Sequence, residues 1–248
     1  MSDPSSPGTA APPRVRAART VPADHAFAWY REAMRLWRAS PAVFAALAGA
    51  SIAVELLLPL VPFAGVIVSQ VVLPLVECSL LYASLAADRH DKPRLRHLLA
   101  ILGAPPRAQA AVVVSSLLAF GAQALTAGAL TDLNLLQPAA FNDRVSLTDI
   151  VLIVAAGVAL SLPFTFVAPI ALFDDPGFGA SLRLSVGAFA RNIAPLLIYA
   201  ALSLGLFLFG IVTNGLGLLL ALPWLAASSY AAWKDVFGVE ARTTESAS

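Results

Sequence analysis

The sequence predicts an all-α polytopic membrane protein: six transmembrane helices form three hairpins, each preceded by a cytoplasmic amphipathic segment. Three observations predict it. Of 248 residues, 58% are hydrophobic and only 12% charged, where a soluble domain carries about 25% charge. That leaves too little polar material to cover a wet surface, so the bilayer must solvate most of the chain. The stretch from Ile193 to Trp233 runs forty-one residues without Asp, Glu, Lys or Arg, and Asn214-Gly215 near its middle is a strong turn signal. Each arm, 194–213 and 216–233, is long enough as a helix to cross a hydrocarbon core of about 30 Å. Finally, 15 of the 16 Lys and Arg residues fall in segments that six crossings with cytoplasmic termini would keep inside, and only Arg144 falls outside. The positive-inside rule asks for that asymmetry of a correctly oriented membrane protein.

In chain order, residues 1–23 are Ser-, Pro-, Ala- and Arg-rich with almost no large apolar side chain. They are expected to form a disordered cytoplasmic tail, and the first apolar run begins too late for a cleavable signal peptide. Between Asp24 and Arg38, Phe27, Tyr30, Met34 and Trp37 recur at helical spacing while Arg31, Glu32, Arg35 and Arg38 stay off that face. This predicts a helix lying in the membrane surface. Ser40-Pro41 supplies an N-cap and first turn. From there to Ala87 the only charges are Glu55 and Glu77, and Pro59, Pro62 and Gly65 divide the run into spans at 41–60 and 64–87. Residues 88–107 are basic, with a weaker stripe at Leu95, Leu98 and Leu102.

A third span is expected over 108–130. The polar Thr131–Leu147 follows, and Ser146-Leu-Thr-Asp149 has capping-box spacing. The fourth span, 150–173, holds Pro163 and Pro169, which neighbours must accommodate by satisfying freed backbone groups. Leu182, Val186, Phe189 and Ile193 then share a face, with Arg183 and Arg191 off it, ahead of the last hairpin. Tyr230 and Trp233 fall where an interfacial aromatic belt would sit. The six-helix membrane domain thus covers 24–238, and a second disordered tail is expected over 239–248. Amphipathic basic stretches at 26–38, 94–104 and 179–192 precede the three hairpins in a loose internal repeat.

Two sets of residues carry a resemblance. Phe173-Asp174-Asp175 with Ala180-Ser-Leu-Arg-Leu-Ser185 and Phe189-Ala-Arg-Asn192 forms one. Gly215-Leu-Gly-Leu-Leu-Leu-Ala-Leu-Pro-Trp224, running on to Ser229-Tyr-Ala-Ala-Trp-Lys-Asp-Val-Phe237, forms the other. Together, over residues 26–238, they resemble a family of six-helix hypothetical transmembrane proteins of proteobacterial inner membranes. That family is itself distantly similar to the membrane domain of glycerophosphoryl diester phosphodiesterases. The resemblance implies a fold and a compartment but no activity, and the catalytic acids and histidines of a phosphodiesterase domain have no counterpart here.

Chemistry is sought first at intramembrane carboxylates, which are costly to keep there. At ~1.5 Å per residue, Glu55 and Gln70 lie level near the outer side and could share a hydrogen bond. Glu77 lies nearer mid-membrane, on the same helix face as Gln70. At its depth the third helix offers Ser115 and Ser116, and the fourth Ser161 and Thr165. These groups form either a polar track for a cation, proton or polar solute, or hydrogen-bonding glue between helices. Small residues at i, i+4 spacing (Gly157, Ser161 and Thr165; Ala111, Ser115 and Ala119; Gly217 and Ala221) suit close helix packing.

The basic surface is the second place for function. Arg31, Arg35, Trp37, Arg38, Arg94, Arg96, Arg183 and Arg191 could engage anionic lipid headgroups or another membrane protein, or serve only as orientation signals. No soluble-enzyme motif is present, neither G-x-S-x-G, H-E-x-x-H, P-loop nor G-x-G-x-x-G. The expectation is a non-enzymatic organising or accessory protein without cofactor or metal, partnered by the bilayer and not by nucleic acid. The alternative is a small transporter or channel subunit built around Glu77. The lone Cys78 reads as a small buried hydrophobe, and His25, His90 and His97 all fall outside the spans.

Overall fold

The computed structural model describes residues 17–61, 64–131, 133–136 and 145–239. Most of the expected tails, Pro62, and Arg144 in the loop before the fourth span lie outside the described residues. Among those described, nine α-helices run in order: α1 His25–Arg38, α2 Pro41–Leu57, α3 Gly65–Asp88, α4 Pro106–Thr131, α5 Leu147–Ser161, α6 Val167–Phe173, α7 Phe178–Arg191, α8 Ile193–Val212 and α9 Leu218–Phe237. Short 3-10 turns at Leu58–Leu60, Leu95–Gly103 and Leu162–Phe164 join some of them.

Among the described residues, five helical stretches are long and apolar enough to cross a membrane: Pro41–Leu60, Gly65–Asp88, Pro106–Thr131, Leu147–Phe173 and Ile193–Val212. Helix α9 is not among them. Its second half, from Ser228 to Asp235, is polar and aromatic and is packed inside the protein.

Local chemistry fixes the breaks. Asn214 and Gly215 take left-handed φ of 52° and 87°, which turns α8 back into α9. Pro41 opens α2 at its first turn, although the Ser40 hydroxyl makes no capping bond. At α5 the Ser146 hydroxyl accepts the Asp149 N–H at 3.1 Å, and the Asp149 carboxylate accepts the Ser146 N–H at 2.9 Å, closing the capping box. Pro163 ends α5, and two backbone groups at the break are satisfied from α7: the Ser185 hydroxyl donates to the Pro163 carbonyl at 2.7 Å and accepts the Phe166 N–H at 3.2 Å.

The hairpin between α2 and α3 closes on Gly65, whose backbone approaches the Leu58 carbonyl so closely that a Cβ would lie 2.1 Å from that oxygen. Backbone atoms of a 3-10 turn cannot swing aside. Gly65→Ala is therefore expected to destabilise the protein by roughly 3 kcal/mol, read as a lowered unfolding midpoint in mild detergent. Ala at Gly121, where a Cβ meets nothing within 4 Å, should leave the midpoint unchanged.

The core gathers around the C-terminal half of α9. Tyr230, Trp233, Val236 and Phe237 are buried there with Trp29 and Leu36 of α1, Phe166, Ile170, and Leu196 of α8. Phe173 stacks against both Trp233, at 5.3 Å between centroids, and Tyr230, at 5.9 Å. These two residues are thus core rather than a lipid-facing belt.

The most extensive interhelical packing is between α1 and α9. Helix α1 buries Ala26, Trp29, Ala33 and Leu36, one position away from the stripe Phe27, Tyr30, Met34 and Trp37 that pattern alone selects. Two alanines let the α1 backbone come close to α9, so the small face wins the contact.

The chain before α1 also departs from expectation. Arg19 donates its backbone N–H to the Val236 carbonyl at 2.8 Å, and the Val21 N–H donates to the Asn192 side chain at 2.9 Å. The Asn192 amide donates in turn to the Arg19 carbonyl at 3.0 Å, and Arg191 donates to the Ala18 carbonyl at 2.9 Å. Residues 18–23, assigned by composition to the tail, are a bound strap. Backbone hydrogen bonds to side chains at the α7–α8 junction hold it, and composition does not report those.

Candidate functional site

A cavity of about 350 Å³ lies between α3, α4, the broken α5–α6 segment, α8 and α9. Glu77, Ser115, Ser116, Ser161 and Thr165 all line it, the set that equal depth along separate helices suggests. Gln70 and Glu55 do not. Glu55 is exposed near the end of α2 and Gln70 is half-buried near the start of α3, and no side-chain hydrogen bond joins them among the described residues.

The cavity also takes Tyr199, Ser203 and Ser229 from α8 and α9, which the sequence reading passed over. Tyr199 and Ser203 are four apart and share a helix face, which is the signal that could have found them. Tyr30 of α1 reaches this wall, its hydroxyl 2.8 Å from that of Ser203. Burial, with Tyr199 adding to it, pushes the Tyr30 hydroxyl above its usual range, so it stays protonated and can donate.

The hydroxyls are oriented by their own helices. Ser115 donates to the Val112 carbonyl at 3.0 Å, Ser161 to Val158 at 2.8 Å and Ser203 to Tyr199 at 2.9 Å. Each spends its proton within its helix, which leaves oxygen lone pairs free to accept. Glu77 makes no hydrogen bond or ion pair among the described residues. The cavity therefore offers one carboxyl and several oxygen acceptors, the donor set that hard cations favour. Thr165 lies at the break after Pro163, and its carbonyl accepts from Ser229 at 3.3 Å. Irregular backbone at membrane depth is tolerated where it is buried or lines a cavity.

A second polar assembly closes the end of the bundle where α3 and α9 terminate. The Asp88 side chain, 5% exposed, receives Lys234 at 2.6 Å, the Tyr230 hydroxyl at 3.0 Å and Arg35 at 3.1 Å. Next to it the Asp235 carboxylate accepts from Arg19 at 2.6 Å and from the Trp29 indole at 2.9 Å, with His25 Nδ1 at 2.7 Å. Burial works to raise the Asp235 carboxyl, but the bonds from His25, Trp29 and Arg19 outweigh it and hold the group below its ordinary value. Arg107, at the start of α4, forms a two-pronged ion pair with Asp175, just after α6. That hydrogen-bonded guanidinium holds the Asp175 carboxyl below the usual range.

These assemblies consume part of the basic surface. Arg35 is committed to Glu32 and Asp88, and Arg191 to the strap. Trp37 is half-buried against the Phe44, Leu47, Leu80 and Ala83 cluster. Arg31, Arg38, Arg94, Arg96 and Arg183 remain exposed, and their guanidiniums have no partner among the described residues. Comparison with protein-family models, curated proteins and solved structures returns no match for this chain.

Proposed function

We propose that the chain is a six-crossing protein of a bacterial inner membrane, with both termini cytoplasmic, that admits a small cation or a proton to an interhelical site at Glu77. Helix α9 is the sixth crossing, its polar second half shielded by α1. The observation that carries the functional reading is the convergence of Glu77 of α3 with hydroxyls from α4, the broken α5–α6 segment, α8 and α9 on one cavity. Discontinuous helices at a midplane site are how small transporters expose backbone carbonyls to ions. The sidedness draws support from the ion pairs Asp88–Lys234, Asp235–Arg19 and Arg107–Asp175, which gather the basic segments at one end of the bundle. The resemblance to six-helix proteobacterial membrane proteins points to the same compartment.

Proteoliposomes loaded with a pH-sensitive or cation-sensitive dye test the reading. The full chain should give flux above empty vesicles, and Glu77→Gln, which keeps the shape and removes the charge, should reduce it at least tenfold, the order expected when a binding charge is lost. Flux that is absent, or that Glu77→Gln leaves unchanged, sinks it. A second reading, a non-enzymatic accessory protein that works through its basic surface, is favoured by the unpartnered Arg94, Arg96 and Arg183. Crosslinking from native membranes that loses a partner on neutralising Arg94 and Arg96 would support it.

A further inference from the structure

Between α1, α8 and α9 runs an open groove of about 820 Å³, within the ~300–1,000 Å³ typical of ligand sites. Its walls are apolar, with Phe27 and Met34 from α1, Leu202 and Leu206 from α8, and Trp224 from α9. Its charged rim is Arg31 and Arg38, and no carboxylate lines it. The two arginines are seven apart, so they lie on one face about 10 Å apart along the axis. Their neighbour Arg35 is neutralised by Glu32 and Asp88, whereas Arg31 and Arg38 have no partner among the described residues. An apolar trough under two uncompensated guanidiniums is complementary to one kind of molecule. Acyl chains would lie along the Leu202–Leu206 wall, and a phosphate would meet the rim through charge-assisted hydrogen bonds.

We infer that this groove seats one anionic phospholipid, with its acyl chain against α8 and its phosphate between Arg31 and Arg38. The inference rests on the membrane reading but not on transport at Glu77, so flux and lipid retention can fail independently. Helix α1 is then anchored on both flanks, by α9 through its small face and by a lipid through its apolar stripe. This assigns a role to Phe27 and Met34, which the α1–α9 contact leaves uncovered.

Native mass spectrometry of the full chain in mild detergent, with added dioleoyl phosphatidylglycerol or dioleoyl phosphatidylcholine at matched concentration, reads the site directly. One phosphatidylglycerol should be retained about tenfold more tightly than phosphatidylcholine, as two cations near a headgroup suggest. Arg31→Gln with Arg38→Gln should abolish that preference, while Arg94→Gln with Arg96→Gln should preserve it. Gly205, where an added Cβ meets nothing within 4 Å, lines the same groove. Gly205→Phe should fill the trough and release the lipid with all charges intact, so the inference stays testable even if the double arginine variant does not fold. Equal retention of the two lipids overturns the inference. So does an unchanged preference in either groove variant, an equal loss with the Arg94 and Arg96 pair, or a lipid-free dimer in which a second copy covers the groove.

Discussion

Asp88→Ala is expected to cost about 4 kcal/mol of stability, which makes it the most damaging change among the polar residues. The carboxylate is almost completely enclosed and receives a lysine, a tyrosine and an arginine. Removing it leaves the Lys234 ammonium, whose side chain is only 19% exposed, without its counter-charge, and strips the Tyr230 hydroxyl of its acceptor. The large effect comes from those orphaned groups rather than from the value of the pair itself. Two comparisons isolate that cause. Glu32→Ala removes a half-exposed partner of Arg35 and should cost no more than about 0.5 kcal/mol. Asp88→Leu combined with Lys234→Met removes both buried charges and should recover much of what Asp88→Ala loses. Denaturation midpoints in mild detergent with rising dodecyl sulfate give the ranking. If Asp88→Ala and Glu32→Ala unfold together, the buried cluster is not what holds α1, α3 and α9 at their shared end.

What the sequence discloses here, and what it hides, follows from the range of the interactions. The apolar runs, the Asn214-Gly215 turn and the Ser146–Asp149 box are set by residues within a few positions of one another, and local pattern finds them. The Glu77 cavity was legible too, because helices that cross one slab place side chains at computable depths, so equal depth marks Ser115, Ser116, Ser161 and Thr165 as neighbours. Asp88 was not legible as a hub. Its partners lie 53 and 146 residues away, and Lys234 looks like any charge that ends an apolar run. The same ambiguity hides Arg35 and Arg191. A positive residue at the inner surface satisfies the topology rule whether it faces lipid, a carboxylate or a backbone carbonyl. In α1 the local pattern finds the apolar stripe but not the face packed on α9, whose two alanines score weakly for hydrophobicity yet permit the closest approach.

Trp233→Ala separates the two readings of the aromatic residues at the end of α9. A tryptophan in an interfacial belt rests one face on lipid, and its removal leaves a gap that lipid fills, at a cost of about 1 kcal/mol or less, the usual range for a surface change. Here Trp233 is 3% exposed and its ring is wedged between Phe173 and Tyr230, at 5.3 and 5.7 Å. Lipid cannot reach the space it would vacate. The loss is then that of a core aromatic truncated to alanine, about 3 to 5 kcal/mol. Trp233→Phe keeps most of the packing and should cost about 1 to 2 kcal/mol, and it sacrifices no hydrogen bond, because the Trp233 indole N–H is buried without an acceptor among the described residues. Unfolding midpoints measured alongside Trp224→Ala, a residue on the open groove, give the contrast. A smaller shift for Trp233→Ala than for Trp224→Ala would return Trp233 to the membrane surface and move the centre of the fold away from α9.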